Sequence, residues 1–285
     1  MRPPRESTLE NPGLAFRLKT RLRRTALVRT AYRRRRNREA DVFLLSFPKA
    51  GRTWLRLLIG KAIAVQHDLD PPDLMALEQL ADAAPGTPRI RCKHDDDPQW
   101  KRPEELVRNK SEYRDRRVIL LVRDMRDLVV SAYFQVTRRE QAYDGDIRSF
   151  VYARAGSLET MIRFYNIWAE DCEIPAGFLL VRYEDLHADP HRELRRVLDF
   201  SGLGEASDDA VRQAVEYARF DNMRKLESAD ALDSARLRPK DEADPESFKT
   251  RRGVVGGYVD YLEPAEIRHI EERVRADLDP LYRYG

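Results

Sequence analysis

Leu44-Leu45-Ser46-Phe47-Pro48-Lys49-Ala50-Gly51-Arg52-Thr53-Trp54-Leu55 is the stretch on which the fold turns. An apolar run stops at Pro48, turns through Lys49-Ala50-Gly51-Arg52 and takes on helical character at Thr53. That order is strand, anion-binding loop, helix. A backbone that turns tightly into a helix leaves the first N–H groups unpaired and presents the positive end of the dipole. Lys49 and Arg52 add charge and Thr53 adds a hydroxyl, so the expected ligand is a phosphate or a related oxyanion. An ordinary strand-to-helix turn of an α/β protein could carry the same residues, and the rest of the chain must decide. The Walker A pattern does not fit, because Lys49 precedes the only glycine of the loop instead of following the last one. A nucleotide-dependent kinase is therefore the second choice.

Outward from this stretch, strands are expected at 41–47, 89–94, 117–122 and 178–182. Helices are expected at 53–65, 103–112, 128–138, 146–154, 157–171, 190–200, 207–219 and 264–277. Pro71, Pro72, Pro85 and Pro88 bracket a short helical piece. Residues 228–250, rich in Asp, Ala, Ser and Pro, read as a mobile loop. No internal repeat is visible. Continuous apolar strands alternating with helices predict an α/β fold with a central parallel β-sheet flanked by helices. Ligands of such sheets bind at the carboxyl ends of the strands. The loop after the first strand and the polar run Arg123-Asp124-Met125-Arg126-Asp127 after a later one should therefore face one crevice. Asp127 is suited to cap the helix that follows. Ser131, one turn in, can reach back toward Arg123 to make a second anion site.

The 285 residues suffice for a full core. Charged residues make up 35% of them and no apolar run nears membrane-spanning length, so a soluble globular protein is expected. That also argues against a Golgi enzyme held by an anchor, and the arginine-rich start does not resemble a secretory signal. Cys92 and Cys172 make neither a disulfide framework nor a metal cluster, which favours a reducing cytoplasm. His187 and His191, four apart beside acids, read as a solvated helix start, and no metal site is expected. Residues 11–38 hold ten Arg, one Lys and no acid, so residues 39–285 carry a net −8 of the chain's total of +3. Residues 1–40 thus form a basic N-terminal arm. Residues 14–38, with Leu14, Phe16, Leu18, Leu22, Leu27 and Val28 among the arginines, suit peripheral contact with an anionic membrane. A solvated arm or an anionic polymer fits the same composition, but no nucleic-acid module follows and nucleic acid is not the expected partner.

Pro48-Lys49-Ala50-Gly51-Arg52-Thr53-Trp54 resembles the 5′-phosphosulfate loop of the sulfotransferases that use PAPS (3′-phosphoadenosine 5′-phosphosulfate). Four further segments resemble that family in its own order. Arg123-Asp124-Met125-Arg126-Asp127 with Ser131 is similar to its 3′-phosphate motif, with Asp124 and Met125 replacing Asn and Pro. Tyr183-Glu184-Asp185-Leu186 and Phe220-Asp221-Asn222-Met223 are similar to its adenine-side segments. Lys249-Thr250-Arg251-Arg252-Gly253 is similar to its late basic segment, although Gly257-Tyr258 stands where Asp-Trp is usual. The resemblance implies a P-loop-like sulfotransferase domain over residues 41–285 and metal-free, in-line transfer of a sulfuryl group to a hydroxyl, or less readily an amine. It implies Lys49, Ala50, Gly51, Arg52, Thr53 and Trp54 around the donor's 5′ end and ring, and Arg123, Ser131, Arg251, Arg252 and Gly253 on its 3′-phosphate. Tyr183, Phe220 and Met223 would lie on the adenine. It implies catalytic roles for Lys49 and for His94, which follows the second strand where the family has its base; Asp95, Asp96 and Asp97 are the alternatives. A small molecule, glycan or glycolipid is the expected acceptor. A catalytically inactive nucleotide-binding membrane adaptor is the alternative from another class. The animal enzymes' dimer segment is not found, which leaves oligomeric state open.

Overall fold

In this computed structural model the described residues are Tyr32 and 34–71, 73–228, 241 and 244–284. The basic arm expected over residues 1–40 is thus represented only by its last residues, and most of the loop expected at 228–250 lies outside the described residues. The chain divides into two units, Met1–Ala40 and Asp41–Gly285. Within the first, residues 34–39 are helical and Arg35 pairs with Glu39 one turn on.

The second unit is built on four parallel strands, β1 (Val42–Ser46), β2 (Ile90–Lys93), β3 (Arg117–Val122) and β4 (Gly177–Arg182), in the order β2-β1-β3-β4. Every residue of β1 is buried, as a central parallel strand covered on both faces requires. Helix α1 (Arg52–Gln66) buries Leu55, Leu58, Ile59 and Ala62, an i, i+3, i+4, i+7 stripe. The short α2 (Leu77–Ala83) packs on α1 and β2. Helix α3 (Met125–Phe134) follows β3, and α4 (Ile147–Val151) packs on it. Helix α5 (Leu158–Glu170) brings Phe164 edge-on to Phe47 and Trp168 onto Phe178 of β4. Helices α6 (Tyr183–Ala188) and α7 (Pro190–Ser201) follow β4, α8 (Asp208–Tyr217) packs along α1, and α9 (Phe220–Ser228) and α10 (Pro264–Asp277) complete the set. Among the described residues no helix is long and apolar enough to cross a membrane.

Three local expectations are corrected. The helix expected over 103–112 is two 3₁₀ turns, Pro103–Glu105 and Ser111–Tyr113. Its residues are recruited by burial instead: Lys110 Nζ donates to Asp95 Oδ2 at 2.7 Å and to the Val107 carbonyl at 2.6 Å, and Tyr113 Oη donates to Asp95 Oδ1 at 2.5 Å. The helix at α3 is capped by Asp124, whose carboxylate accepts from Arg126 N–H, and not by Asp127. The same helix leaves α geometry after Phe134 and continues as a π-helix over Gln135–Arg139.

The Lys110–Asp95 pair is nearly sealed from water, with Lys110 only 3% exposed. Removing one partner of such a pair strands the other charge, at a cost of about 3–5 kcal/mol. Asp95→Ala should therefore lower the urea midpoint strongly with an unchanged m-value. A loss below about 1 kcal/mol would contradict the buried network.

Candidate functional site

The carboxyl ends of β1, β2 and β3 open onto a cleft of about 640 Å³. Lys49 and Gly51 both have positive φ, 76° and 102°, so the loop after β1 is coiled on itself. A Cβ on Gly51 would lie 2.6 Å from the Tyr183 ring, which makes glycine obligatory there for space as well as for conformation. A non-glycine residue in this region costs energy and is concentrated at functional loops, and Lys49 is one. The Gly51 carbonyl accepts from Trp54 and Leu55 N–H and starts α1, leaving the N–H groups of Arg52 and Thr53 outside the helix's ladder. No acid occupies that first turn and its first residue is Arg52, so nothing in the helix itself offsets its positive end.

Lys49, Gly51, Arg52, Thr53 and Trp54 line the cleft, together with His94, Arg123 and Ser131. Tyr183, Phe220, Met223, Arg251, Arg252 and Gly253 line it as well. Ala50 does not: its side chain is fully buried and its N–H turns back to the Phe47 carbonyl, so it supports the loop from behind. Arg123 is a junction. Its guanidinium donates to the Lys49 carbonyl at 3.4 Å and the Val254 carbonyl at 3.2 Å, and it lies 4.4 Å from the centre of the Tyr183 ring. Trp54 donates to the Ala218 carbonyl and meets Tyr183 edge-on. Gly253 has φ 63°, and a Cβ there would strike the Phe220 ring. Arg251 is held by Glu246 and Tyr261, whereas Arg252 is the more exposed of the two and pairs with Asp260.

His94 is fixed by two contacts. Its Nδ1 lies 3.0 Å from the Ser46 carbonyl, which can only accept, so Nδ1 carries the proton. Its Nε2 lies 2.8 Å from Arg52 Nη2, which can only donate, so Nε2 offers a lone pair. These contacts fit the neutral Nδ1–H tautomer, with Nε2 on the side of the loop after β1. Of the alternatives, Asp95 is bound by Lys110 and Tyr113, and Asp96 by Lys101 and Val107 N–H. None of Asp95, Asp96 and Asp97 lines the cleft.

Several residues shape the site in ways the motifs do not reveal. His187 lines the cleft, meets Trp54 and Tyr183 and bonds the Gly253 carbonyl, so it is more than a solvated helix residue. Buried Glu227 accepts from Lys249 and Thr250 N–H, and buried Asp127 accepts from Gly256 and Tyr258 N–H. These two carboxylates tie the 249–258 loop to the body. Glu227 gives no sequence signal beyond an acid in an otherwise ordinary helical register, and the run that contains Asp127 does not reveal these partners. Lys249 opens the late basic segment and lines the cleft. Burial, then repulsion by Lys249 and Arg139, holds the Lys49 ammonium well below its ordinary range. Burial, then Arg52 and Arg139, lowers that of Lys249 to about 8. Among the described residues no cluster of His, Cys, Asp and Glu could hold a metal.

Residues 39–281 match the family model described as the sulfotransferase domain. Cytosolic sulfotransferase 10 of Arabidopsis thaliana is 24% identical over 272 residues, covering 82% of this chain and 76% of that protein. Flavonol 3-sulfotransferase of Flaveria bidentis is 23% identical, covering 82% and 80%. Among solved structures, a mouse sulfotransferase complexed with PAP superposes with a TM-score of 0.54 at 18% identity over 84% of each chain. Retinol dehydratase, in complex with androsterone and the inactive cofactor PAP, gives 0.55 at 18% identity over 84% of this chain and 81% of its own. The fold is theirs.

The low Lys249 value has a ligand-free consequence. Below pH 8 the lysine is charged in both the folded and the unfolded chain, and the folded state bears the full cost of burying it. Between pH 8 and its ordinary value near 10.5 the folded chain holds fewer protons, so this cost disappears as pH rises. Lys249→Met should therefore exceed the wild type in stability at pH 7, by on the order of 3 kcal/mol, with the gap narrowing from pH 8 upward and gone only above about pH 10.5. A gap independent of pH in urea titrations would contradict this.

Proposed function

The chain belongs to the sulfotransferase domain family, and from that premise we propose that it transfers a sulfuryl group from PAPS to a hydroxyl of its acceptor, with His94 as general base. One observation carries the reading: the coiled loop after β1, Arg123, Ser131 and His94 all line a single cleft. The residues fit the donor. Lys49, Arg52, Thr53 and the N–H groups at the α1 start are suited to a 5′-phosphosulfate. Arg123, Ser131, Arg252 and the unhindered Gly253 N–H are suited to a 3′-phosphate. Trp54, Tyr183, His187, Phe220 and Met223 offer rings and a thioether to adenine. When bound, PAPS supplies a sulfuryl group whose S–O bond to the 5′-phosphate breaks, with its electron pair, as the acceptor oxygen bonds to sulfur.

The chain's own residues then have three tasks. Lys49 and Arg52 meet the negative charge that gathers on the 5′-phosphate side. The Ser46 carbonyl keeps the His94 proton on Nδ1, so Nε2 is the nitrogen that takes the acceptor's proton. Arg52 covers that nitrogen, and moving its guanidinium onto an anion uncovers it. In this reading residues 41–285 are the catalytic domain and residues 1–40 an arm. The acceptor is a hydroxyl compound, small or part of a glycan or glycolipid. The enzyme works in the cytoplasm, with residues 14–38 as its peripheral contact to an anionic membrane.

His94→Ala should lower kcat by at least about 100-fold, while calorimetry with adenosine 3′,5′-bisphosphate shows binding little changed. Unchanged turnover would remove His94 from the mechanism. Arg52→Thr should instead weaken that binding by about 10–100-fold, the worth of one charged hydrogen bond. Wild-type affinity in Arg52→Thr would remove Arg52 from the anion site.

A further inference from the structure

The cleft wall beyond His94 has a chemistry of its own. α3 presents Ser131 to the cleft and, one turn on, Gln135, where the helix has gone over to π geometry. Such π turns are frequent where a helix serves a site. Gln135 Nε2 donates to Glu140 Oε1 at 3.0 Å, which fixes the direction of its amide. The other end of that amide, Oε1, is buried and has no hydrogen-bond partner among the described residues. Gln99, which lines the same cleft, has an Oε1 in the same state. It is brought there by two consecutive left-handed residues, Asp96 at φ 67° and Asp97 at φ 48°. Buried carbonyl oxygens are paired in nearly all proteins, and two that are not, in one cleft, call for donors from a ligand.

We infer that this wall is the acceptor subsite and that it selects a neutral polyhydroxylated compound, a sugar or a sugar-like polyol; this rests on the sulfotransferase reading above. One hydroxyl lies at His94 Nε2 and others donate to Gln99 Oε1 and Gln135 Oε1. A flat phenol brings a single hydroxyl and would leave both oxygens unpaired. An anionic acceptor would meet Glu140 on this wall. A cationic one would meet Lys49, Lys249 and Arg52 at the reacting end.

The test is calorimetric titration of the full-length protein saturated with adenosine 3′,5′-bisphosphate, using methyl β-glucoside, octyl β-glucoside and maltose against 4-nitrophenol and 2-naphthol. Transfer kcat/KM is measured on the same panel. Sugars should bind and react in preference to the phenols. Gln99→Leu and Gln135→Leu should each raise the sugar Kd about tenfold and leave bisphosphate affinity and thermal midpoint unchanged. Gln135→Asn, which keeps the amide, should lose less than Gln135→Leu. Tighter binding of the octyl than the methyl glucoside identifies a lipid-linked sugar and equal binding a free one; both uphold the polyol. Preference for the phenols, or sugar binding unmoved in both leucine variants, overturns the inference while bisphosphate binding keeps the sulfotransferase reading intact. Failure of the bisphosphate itself to bind overturns both.

Discussion

Positive charge crowded at the carboxyl end of a buried parallel sheet is the constraint around which this structure is arranged. Lys49, Arg52, Arg123 and Lys249 all line one cleft. Burial, then Lys249 and Arg139, holds down the protonation of Lys49, and burial, then Arg52 and Arg139, that of Lys249. Buried Glu227 is the one opposing charge among the main influences on either lysine. Its oxygens are already occupied by the Lys249 and Thr250 N–H groups. The positive end of α1 adds to the imbalance, with no acid in its first turn. A protein that holds such a cluster in a folded state has a site whose electrostatics are completed by an anion.

The sheet explains why the cluster can form at all. Four parallel strands put their carboxyl ends on one edge, so loops far apart in sequence arrive together. The 249–258 loop belongs to no strand and is attached instead by two buried carboxylates, Glu227 and Asp127. Arg123 joins three of these parts, touching the β1 loop, the 249–258 loop and the Tyr183 ring. Its position between them links the geometry of the cleft to the order of the whole edge.

What the sequence revealed follows the same physics. The four strands are continuous apolar runs and were legible within a residue or two, β3 without error. The β1 loop and the Arg123–Ser131 run were legible because a tight turn with fixed cations has few alternatives. The region 103–113 was not, since local helix propensity there is overridden by the buried Lys110–Asp95–Tyr113 contacts, made between residues 15 and 18 apart. Asp127 read as a cap because a carboxylate near a helix start usually is one. Besides pairing with Arg123 one turn back, it accepts from backbone N–H groups about 130 residues away, which leave no local trace. His187 was passed over for a similar reason: only the fold brings it beside Trp54 and Gly253. Gln99 and Gln135 belong to no motif, and only their unpaired buried oxygens single them out.

The account stands on the cleft being a site for a nucleotide with separate 5′ and 3′ anions. The most direct measurement is a thermal shift of the full-length protein with adenosine 3′,5′-bisphosphate, ADP and ATP compared at equal concentration. At a hundred times its dissociation constant a ligand adds about 2.7 kcal/mol, enough to raise the midpoint by several degrees. The account predicts that rise with the 3′,5′-bisphosphate and little with ADP or ATP. A rise with ATP and none with the bisphosphate would contradict it and favour phosphoryl transfer instead.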